Sequence, residues 1–221
     1  MSDPWPKGIF FDFAGVLVQS EPAQYSVWQQ VVRSHGLSAE DLPRQTVVGR
    51  SDSSIAMAVS LALHHAVSSQ ELIAEKQALW RKLDWDQRLT VPAGRDQFLR
   101  WVRPKLQCLA IVSSGGGREI TAILRRQGVL DLFDWIIDGR SVARHKPDPE
   151  PYLRALERSQ LKSTEVLAIE DSVHGVTAAV GAGLEVWQLL LEGTEDLCHA
   201  TPQHLRSYIE LEASLTRRLS S

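Results

Sequence analysis

Residues 8–22, GIFFDFAGVLVQSEP, decide how the rest of the chain is interpreted. The stretch begins with a short apolar run that does not alternate with polar residues, as is typical of a strand buried on both faces of a parallel sheet. Asp12 follows directly. Because ligands of parallel α/β sheets bind at the carboxyl ends of strands, Asp12 stands where chemistry is expected.

Four further runs have the same character. They are LAIVSS at 109–114, WIID at 135–138, VLAIED at 166–171 and VWQLLL at 186–191. The segments between them place apolar residues on one helical face, for example Ile120, Ile123 and Leu124. Alternating strands and helices predict an α/β fold with a doubly wound parallel sheet.

Residues 21–88 interrupt this alternation. They contain apolar positions at helical spacing, such as Tyr25, Trp28 and Val32, and no convincing strand. We therefore expect an α/β catalytic core from residues 1–20 and 89–221, with a helical cap from residues 21–88. The tail from about residue 194 is predicted to be helical.

Composition excludes several classes of protein. The formal net charge of −3 argues against nucleic-acid binding, and two cysteines make no disulfide framework. No apolar run approaches the roughly 20 residues that span a bilayer. The N-terminal residues lack the basic and apolar regions of a signal peptide, so we expect a cytoplasmic protein that binds neither nucleic acid nor membrane.

The predicted strand ends gather a distinct set of side chains. Asp12, the serines Ser113 and Ser114, and the pair Glu170 and Asp171 follow strands, and Lys146 lies in the loop HKPDPEPY. Carboxylates can hold Mg²⁺, while a lysine and hydroxyls can bind phosphoryl oxygens. An aspartate can also act as a nucleophile that carries a phosphoryl group. The set predicts phosphoryl transfer.

The order and spacing of these stretches resemble the haloacid dehalogenase superfamily of phosphohydrolases. The similarity is greatest to the branch of β-phosphoglucomutase and CbbY-like sugar phosphatases, which has a helical cap after the first strand. The matching stretches span nearly the whole chain. They are FDFAGVLVQSEP, GRSD, IVSSGG, KPDPEPY and AIEDSVHGVTAAVGAGL.

The resemblance implies a role for each matching residue. Asp12 would be the nucleophile and a metal ligand, and Lys146 would bridge the nucleophile and the phosphoryl oxygens. Phosphate and substrate contacts would come from Ser113, Ser114, Gly115 and the cap residue Arg50. The Mg²⁺ ligands would be Asp12, the backbone carbonyl of Ala14, Glu170 and Asp171.

Three residues near the nucleophile depart from the family pattern. Ala14 stands where the family has the aspartate that acts as general acid and base, and losing such a group costs about 10²–10⁴ in rate. Gln19 and Gln24 replace a usual acidic residue and a usual histidine. Three changes in one segment favour natural divergence, although an engineered alanine at position 14 stays open.

Several functions remain open at this point. The first is a Mg²⁺-dependent phosphohydrolase, acting through an aspartyl-phosphate on a small phosphorylated metabolite such as a sugar phosphate. The second is a catalytically impaired relative that binds such a ligand. The third is a C–P bond hydrolase similar to phosphonoacetaldehyde hydrolase, which has a small residue at the position of Ala14 and a cap lysine that forms a Schiff base; here Lys76 and Lys82 lie late in the insert.

Single residues also have simpler explanations. Asp12 alone could cap a turn, Glu170 could favour the start of a helix, and Arg50 could be a surface charge. It is their order together with Lys146 and Asp171 that favours a site. The sequence does not define the substrate, and it is compatible with a monomer or a small homo-oligomer.

Overall fold

The computed structural model describes residues 5–47, 52–83, 89–191, 201 and 203–219. The chain divides into two compact units. We call Met1–Gln19 with Val91–Ser221 the sheet unit, and Ser20–Thr90 the helical unit. The roles expected of residues 1–20 with 89–221 as catalytic core and of 21–88 as cap stay predictions.

The sheet unit is built on six strands that all pair in parallel. They are β1 (Gly8–Phe11), β2 (Cys108–Val112), β3 (Trp135–Ile137), β4 (Val166–Glu170), β5 (Glu185–Leu189) and β6 (Gln203–Leu205). Their order in the sheet is β3-β2-β1-β4-β5-β6. The chain therefore builds outward from β1 to one side and then returns to build the other, which confirms the predicted doubly wound sheet.

Eight helices occur in the described part of the chain. They are α1 (Glu21–Ser34), α2 (Asp52–Ala62), α3 (Ser69–Arg81), α4 (Arg95–Val102), α5 (Gly117–Arg126), α6 (Glu150–Ser159), α7 (Val173–Gly181) and α8 (Tyr208–Leu219). Short 3₁₀ turns occupy Ala39–Asp41, Arg44–Thr46, Arg103–Lys105, Leu130–Leu132 and Ser163–Glu165. Across these residues, no helix combines the length and the apolar composition that crossing a membrane requires.

The sheet is covered on both faces, as its uninterrupted apolar strands require. On one face Phe10, Ala110 and Ala168 pack with Tyr152 of α6 and Val176 of α7. On the other face the ring of Phe11 lies 6.2 Å from that of Phe98 in α4, which in turn lies 5.5 Å from Tyr208 in α8. Every residue of β1, β2 and β4 is buried.

The helical unit has a core of its own. Its buried residues come from α1, α2, α3 and the segment between α1 and α2, and include Trp28, Val32, Ile55 and Leu72. Helix α3 begins with a capping box in which Ser68 and Glu71 satisfy each other's backbone amides.

The tail expected to be helical from about residue 194 contains a strand instead, followed by α8. Strand β6 pairs with β5, where Trp187 lies opposite Gln203. The residues of β6, QHL, form no apolar run. The strand has only three residues and lies at the edge of the sheet. Pairing with β5 therefore stabilises a strand that the local sequence does not predict.

Candidate active site

Asp12 follows the strand at the centre of the sheet. Its backbone amide donates to the carbonyl of Ile169 on β4 at 2.9 Å, so the residue extends the pairing of β1 with β4. The order of the strands reverses between β1 and β4, and crevices at such a switch point bind ligands. Asp12 is 8% exposed. Its carboxylate is therefore held at the expected ligand-binding edge and largely removed from solvent.

Lys146 is the buried cation of this edge. Its Nζ donates to Asp12 Oδ1 at 2.6 Å, to Glu170 Oε1 at 2.5 Å and to the carbonyl of Val112 at 2.8 Å. Three acceptors satisfy all three ammonium protons. Burial by itself would lower the pKa of Lys146, but the carboxylates of Asp12 and Glu170 outweigh it and raise the pKa above its ordinary value. The amine is therefore protonated.

Glu170, the last residue of β4, is 1% exposed and holds Lys146 from the other side. Tyr152 on α6 donates its hydroxyl to Glu170 Oε1 at 2.5 Å. Burial raises the pKa of Glu170 to about 7, against the opposing effect of the Lys146 ammonium. Burial also raises the pKa of Tyr152, so this hydroxyl stays a donor. The sequence by itself assigned Tyr152 no role, and its signal there was its place in KPDPEPY.

Three carboxylates form a candidate metal site. Asp12, Glu170 and Asp171 each offer an oxygen, and these oxygens lie within 4.8 Å of one another. The donor set contains only oxygen and is anionic, which fits a hard divalent cation such as Mg²⁺. The backbone of Gly15 lies against this cluster, because a Cβ at that position would stand 1.8 Å from Asp171 Oδ2. Only a residue without a side chain fits there.

Residues 13–18 form a closed turn directly after Asp12. The amide of Gly15 donates to the carbonyl of Val18 at 2.8 Å, and the amide of Leu17 donates to Phe13 at 2.9 Å. Ala14 is half-buried within this turn. The side-chain amide of Gln19 donates to the carbonyl of Gly15 at 2.9 Å, so it braces the turn and supplies no titratable group. The role of the Ala14 carbonyl as a metal ligand stays a prediction.

The loop after β2 contains the serines and the glycine that the sequence predicts to contact phosphate. Ser113 is buried and its Oγ accepts from the amide of Gly115 at 3.1 Å, while Ser114 and Gly115 are exposed. The amide of Gly117, at the start of α5, donates to Asp138 Oδ2 at 2.8 Å. The loop therefore lies at the end of the strand next to β1.

Asp138 is a supporting residue that sequence reasoning did not identify. Burial alone would raise the pKa of its carboxyl, but hydrogen bonds from Ser141 and from the backbone amides of Gly117 and Arg140 lower it. The carboxylate is ionised and fixes the loop after β2. Its signal in the sequence was only its place at the end of the run WIID.

The predicted residues thus divide into three groups. Direct contacts or short distances join Asp12, Lys146, Glu170 and Asp171. Ser113, Ser114 and Gly115 stand at the end of the neighbouring strand. Arg50 lies outside the described residues.

Lys76 has a buried position within the helical unit. Its Nζ donates to Asp52 Oδ2 at 2.8 Å and to Gln24 Oε1 at 3.3 Å, and it lies 4.7 Å from the centre of the Trp80 ring. Trp28 Nε1 donates to the other oxygen of Asp52 at 3.1 Å. Schiff-base chemistry needs an amine that is free to attack a carbonyl, whereas the amine of Lys76 is buried and engaged by Asp52 and Gln24.

Comparison with known proteins gives a consistent result. Residues 6–183 match the haloacid dehalogenase-like hydrolase family. The chain is 31% identical over 180 residues to a phosphorylated carbohydrates phosphatase of Thermotoga maritima, covering 81% of this chain and 82% of that protein. It is also 31% identical over 178 residues to validoxylamine A 7'-phosphate phosphatase of Streptomyces hygroscopicus subsp. limoneus, covering 80% of this chain and 83% of that protein.

A solved structure shows the same fold. A haloacid dehalogenase family hydrolase from Deinococcus radiodurans, crystallised with bound phosphate and sodium, superposes with a TM-score of 0.72. The two chains are 26% identical, and the match covers 97% of each. The sheet unit and the helical unit both fall within the matched length.

Proposed function

The chain belongs to the haloacid dehalogenase-like hydrolases, in the branch of β-phosphoglucomutase and CbbY-like sugar phosphatases, and we propose that it is a Mg²⁺-dependent phosphohydrolase of a small phosphorylated metabolite. As a member of this family, the chain is an enzyme of the phosphatase and phosphomutase type. The observation that carries the proposal is the buried arrangement of Asp12, Lys146 and the carboxylate cluster at the switch point of the sheet.

The first half of the reaction follows from the ion pair of Asp12 and Lys146. An oxygen of the Asp12 carboxylate attacks phosphorus, and an acyl phosphate bond forms as the bond to the leaving oxygen breaks. Lys146, fixed by three acceptors, supplies positive charge beside the attacking group without reorganisation. Ser113, Ser114 and Gly115 of the loop after β2 would contact phosphoryl oxygens.

Asp12, Glu170, Asp171 and the Ala14 carbonyl would hold the Mg²⁺ ion. When bound, the ion would offset negative charge on the phosphoryl group and on the nucleophile. The cluster fits such an ion because its donors are carboxylate oxygens, the ligands that Mg²⁺ prefers.

Ala14 determines the kinetic character of the enzyme. No carboxyl at this position can protonate the leaving oxygen, so water supplies that proton and substrates with good leaving groups are favoured. In the second half, water attacks the phosphorus of the acyl phosphate, releasing phosphate and restoring Asp12. No carboxylate at position 14 activates this water, so the aspartyl-phosphate accumulates.

The test compares phosphate release from sugar phosphates and p-nitrophenyl phosphate, with and without Mg²⁺, for the chain and for Ala14→Asp. We expect the substitution to increase the rate by about 10²–10⁴ and to abolish accumulation of the phosphoenzyme seen by intact-mass analysis. Ala66→Asp, at an exposed position of the helical unit, is the matched control and should change neither. A parent chain that turns over well and gains nothing from Ala14→Asp would contradict the assigned role.

The substrate class is the finer part of the proposal. The two relatives that are 31% identical are named as phosphatases of phosphorylated carbohydrates and of validoxylamine A 7'-phosphate. We infer a phosphorylated sugar or sugar-like alcohol, with the helical unit as the cap that selects it and Arg50 as a substrate contact. Arg50→Ala should then raise KM more than it lowers kcat. Location in the cytoplasm and a monomeric or small homo-oligomeric state stay predictions.

A second candidate function is a ligand-binding protein that has lost turnover. The replacements at Ala14, Gln19 and Gln24 favour it. Sugar phosphate and Mg²⁺ would then raise the melting temperature without phosphate release. The third alternative, a C–P bond hydrolase, is disfavoured by the ion pair of Lys76 with Asp52.

A further inference from the structure

The turn at residues 13–18 receives two hydrogen bonds from side chains far away in the sequence. Both donors are buried, and both reach backbone carbonyls of adjacent residues in the turn. Neither donor belongs to the stretches that carry the family resemblance. Packing of an apolar core does not by itself account for these two hydrogen bonds.

Tyr208, the first residue of α8, supplies one of these bonds. Its hydroxyl donates to the carbonyl of Val16 at 3.0 Å, across 192 positions of the sequence. The side chain is 1% exposed, and burial raises its pKa, so the hydroxyl remains a donor. The carbonyl of Val16 would lose a buried partner if the hydroxyl were removed.

Arg95, the first residue of α4, supplies the other bond. It is completely buried, and its Nη1 donates to the carbonyl of Leu17 at 2.9 Å and to Gln127 Oε1 at 2.7 Å. Its Nε donates to Asp96 Oδ1 at 2.7 Å. A buried guanidinium is costly unless its donors are paired. The carbonyl of Leu17 is one of the three acceptors that Arg95 reaches, while Nη2 makes no hydrogen bond within the described residues and lies 2.6 Å from Asp96 Oδ1.

The turn transmits this restraint to the carboxylate cluster. Gly15 is the residue before Val16, and its backbone lies directly against Asp171. A displacement of the turn would change how closely it approaches Asp171, and Asp12 directly precedes the turn. Residues that support the ligands of a site from outside typically affect metal affinity or activity by about 10–100-fold.

We propose that Tyr208 and Arg95 are positioning residues, which hold the turn at residues 13–18 in place beside Asp12 and Asp171. This inference rests on the proposed function. They act through the backbone of the turn and do not touch the substrate. The C-terminal helix α8 thereby takes part in setting the geometry of the site at the end of the first strand.

The test uses Tyr208→Phe, which removes one hydroxyl and leaves the ring. Tyr25→Phe is the matched control, because Tyr25 also donates to a backbone carbonyl, that of Leu42 at 3.1 Å, within the helical unit. We expect Tyr208→Phe to lower the affinity for Mn²⁺, titrated by electron paramagnetic resonance, by about tenfold. We also expect kcat to fall with KM unchanged, and Tyr25→Phe to alter none of these.

Amide hydrogen exchange provides a readout that does not depend on turnover. The amides of Gly15, Leu17 and Val18 are hydrogen-bonded within the turn, and they should lose protection in Tyr208→Phe but not in Tyr25→Phe. Arg95→Lys keeps the positive charge, but its single nitrogen cannot replace the separate Nε and Nη1 donors that reach Asp96, Gln127 and the carbonyl of Leu17. It should reproduce the effects if Tyr208→Phe folds poorly.

The outcomes separate this inference from the proposed function. A parent chain that binds Mn²⁺ and releases phosphate, with Tyr208→Phe matching it in Mn²⁺ affinity and kcat, overturns the positioning role alone. A parent chain that neither binds Mn²⁺ nor releases phosphate overturns the proposed function and this inference with it. The positioning role is supported if Tyr208→Phe, but not Tyr25→Phe, loses Mn²⁺ affinity and the protection of the turn amides from hydrogen exchange.

Discussion

Replacement of Lys146 by methionine tests the electrostatics of the site most directly. Lys146 is paired with Asp12 at 2.6 Å, and the two side chains are 6% and 11% exposed. Lys7→Met is the matched control, because Lys7 is paired with Glu165 at the same distance of 2.6 Å with side chains 49% and 26% exposed. Both substitutions remove an ammonium at the same separation from a carboxylate, but Lys146 is buried and also contacts Glu170, whereas Lys7 is exposed.

The expected size of the effect follows from this burial. Removing one partner of a buried ion pair costs about 3–5 kcal/mol, because the other charge is left uncompensated. For a chain of this length about 1 kcal/mol shifts the melting temperature by 2–4 °C, so Lys146→Met should lower it by roughly 6–20 °C in a metal-free buffer. Water screens the exposed pair, so the melting temperature of Lys7→Met should be indistinguishable from that of the parent.

The pH dependence of the loss has a definite sign. Burial already raises the pKa of Glu170 to about 7, and removal of the Lys146 ammonium would raise it further. Between the unfolded and folded pKa values of this carboxyl, the unfolded state ionises first and is favoured. The penalty is therefore absent at pH below the unfolded pKa and complete above the folded pKa, so Lys146→Met should lose less stability at pH 5.5 than at pH 8.

The assay is a set of thermal melts of the parent and both variants at the two pH values, with EDTA and then with Mg²⁺. Without the ammonium the carboxylate cluster is more negative, so Mg²⁺ should raise the melting temperature of Lys146→Met more than that of the parent. Equal losses for Lys146→Met and Lys7→Met, or a loss that does not depend on pH, would refute the assignment of a buried and functionally charged lysine.

Three further predictions concern glycine, tyrosine and cysteine. Gly15→Ala should abolish the Mg²⁺-dependent rise in melting temperature, because its Cβ would stand 1.8 Å from Asp171 Oδ2; Gly36→Ala, at a similar positive φ but in open space, should cost only about 1 kcal/mol in a urea melt and leave that rise intact. Tyr152→Phe should lower kcat for p-nitrophenyl phosphate about 10–100-fold in steady-state assays, and an unchanged kcat would contradict its role. Burial raises the pKa of Cys108 to about 11, so iodoacetamide at pH 8 should leave its peptide unmodified in the native protein and alkylate it in urea, as peptide mass analysis would show; native alkylation would count against this burial.

Much of the architecture can be predicted from the sequence because buried parallel strands are apolar without interruption. The runs that predict β1, β2 and β4 lie in strands whose residues are all buried, and the residues that follow each run provide the site. Asp12 and Asp171 could be found this way since strand ends in a parallel sheet share one edge.

The parts that could not be predicted depend on partners distant in the chain. Strand β6 is stabilised by pairing with β5, and its own three residues carry no strand pattern. Nothing local in the sequence shows that the hydroxyl of Tyr152 reaches Glu170 or that the hydroxyl of Tyr208 reaches the carbonyl of Val16. A hydrogen bond across such distances is a property of the folded topology.

The position of β1 has a consequence for synthesis on the ribosome. Strand β1 is synthesised before both strands that flank it, β2 and β4, and the latter ends at residue 170. At about 5–20 residues per second, the interval between β1 and the completion of β4 is roughly 10–30 s. During that time the helical unit has emerged whole and can fold on contacts within itself, while Phe10 and Phe11 have no completed sheet to join. The nascent chain therefore exposes an apolar segment during this interval, and this segment is a natural target for chaperones that bind near the exit tunnel.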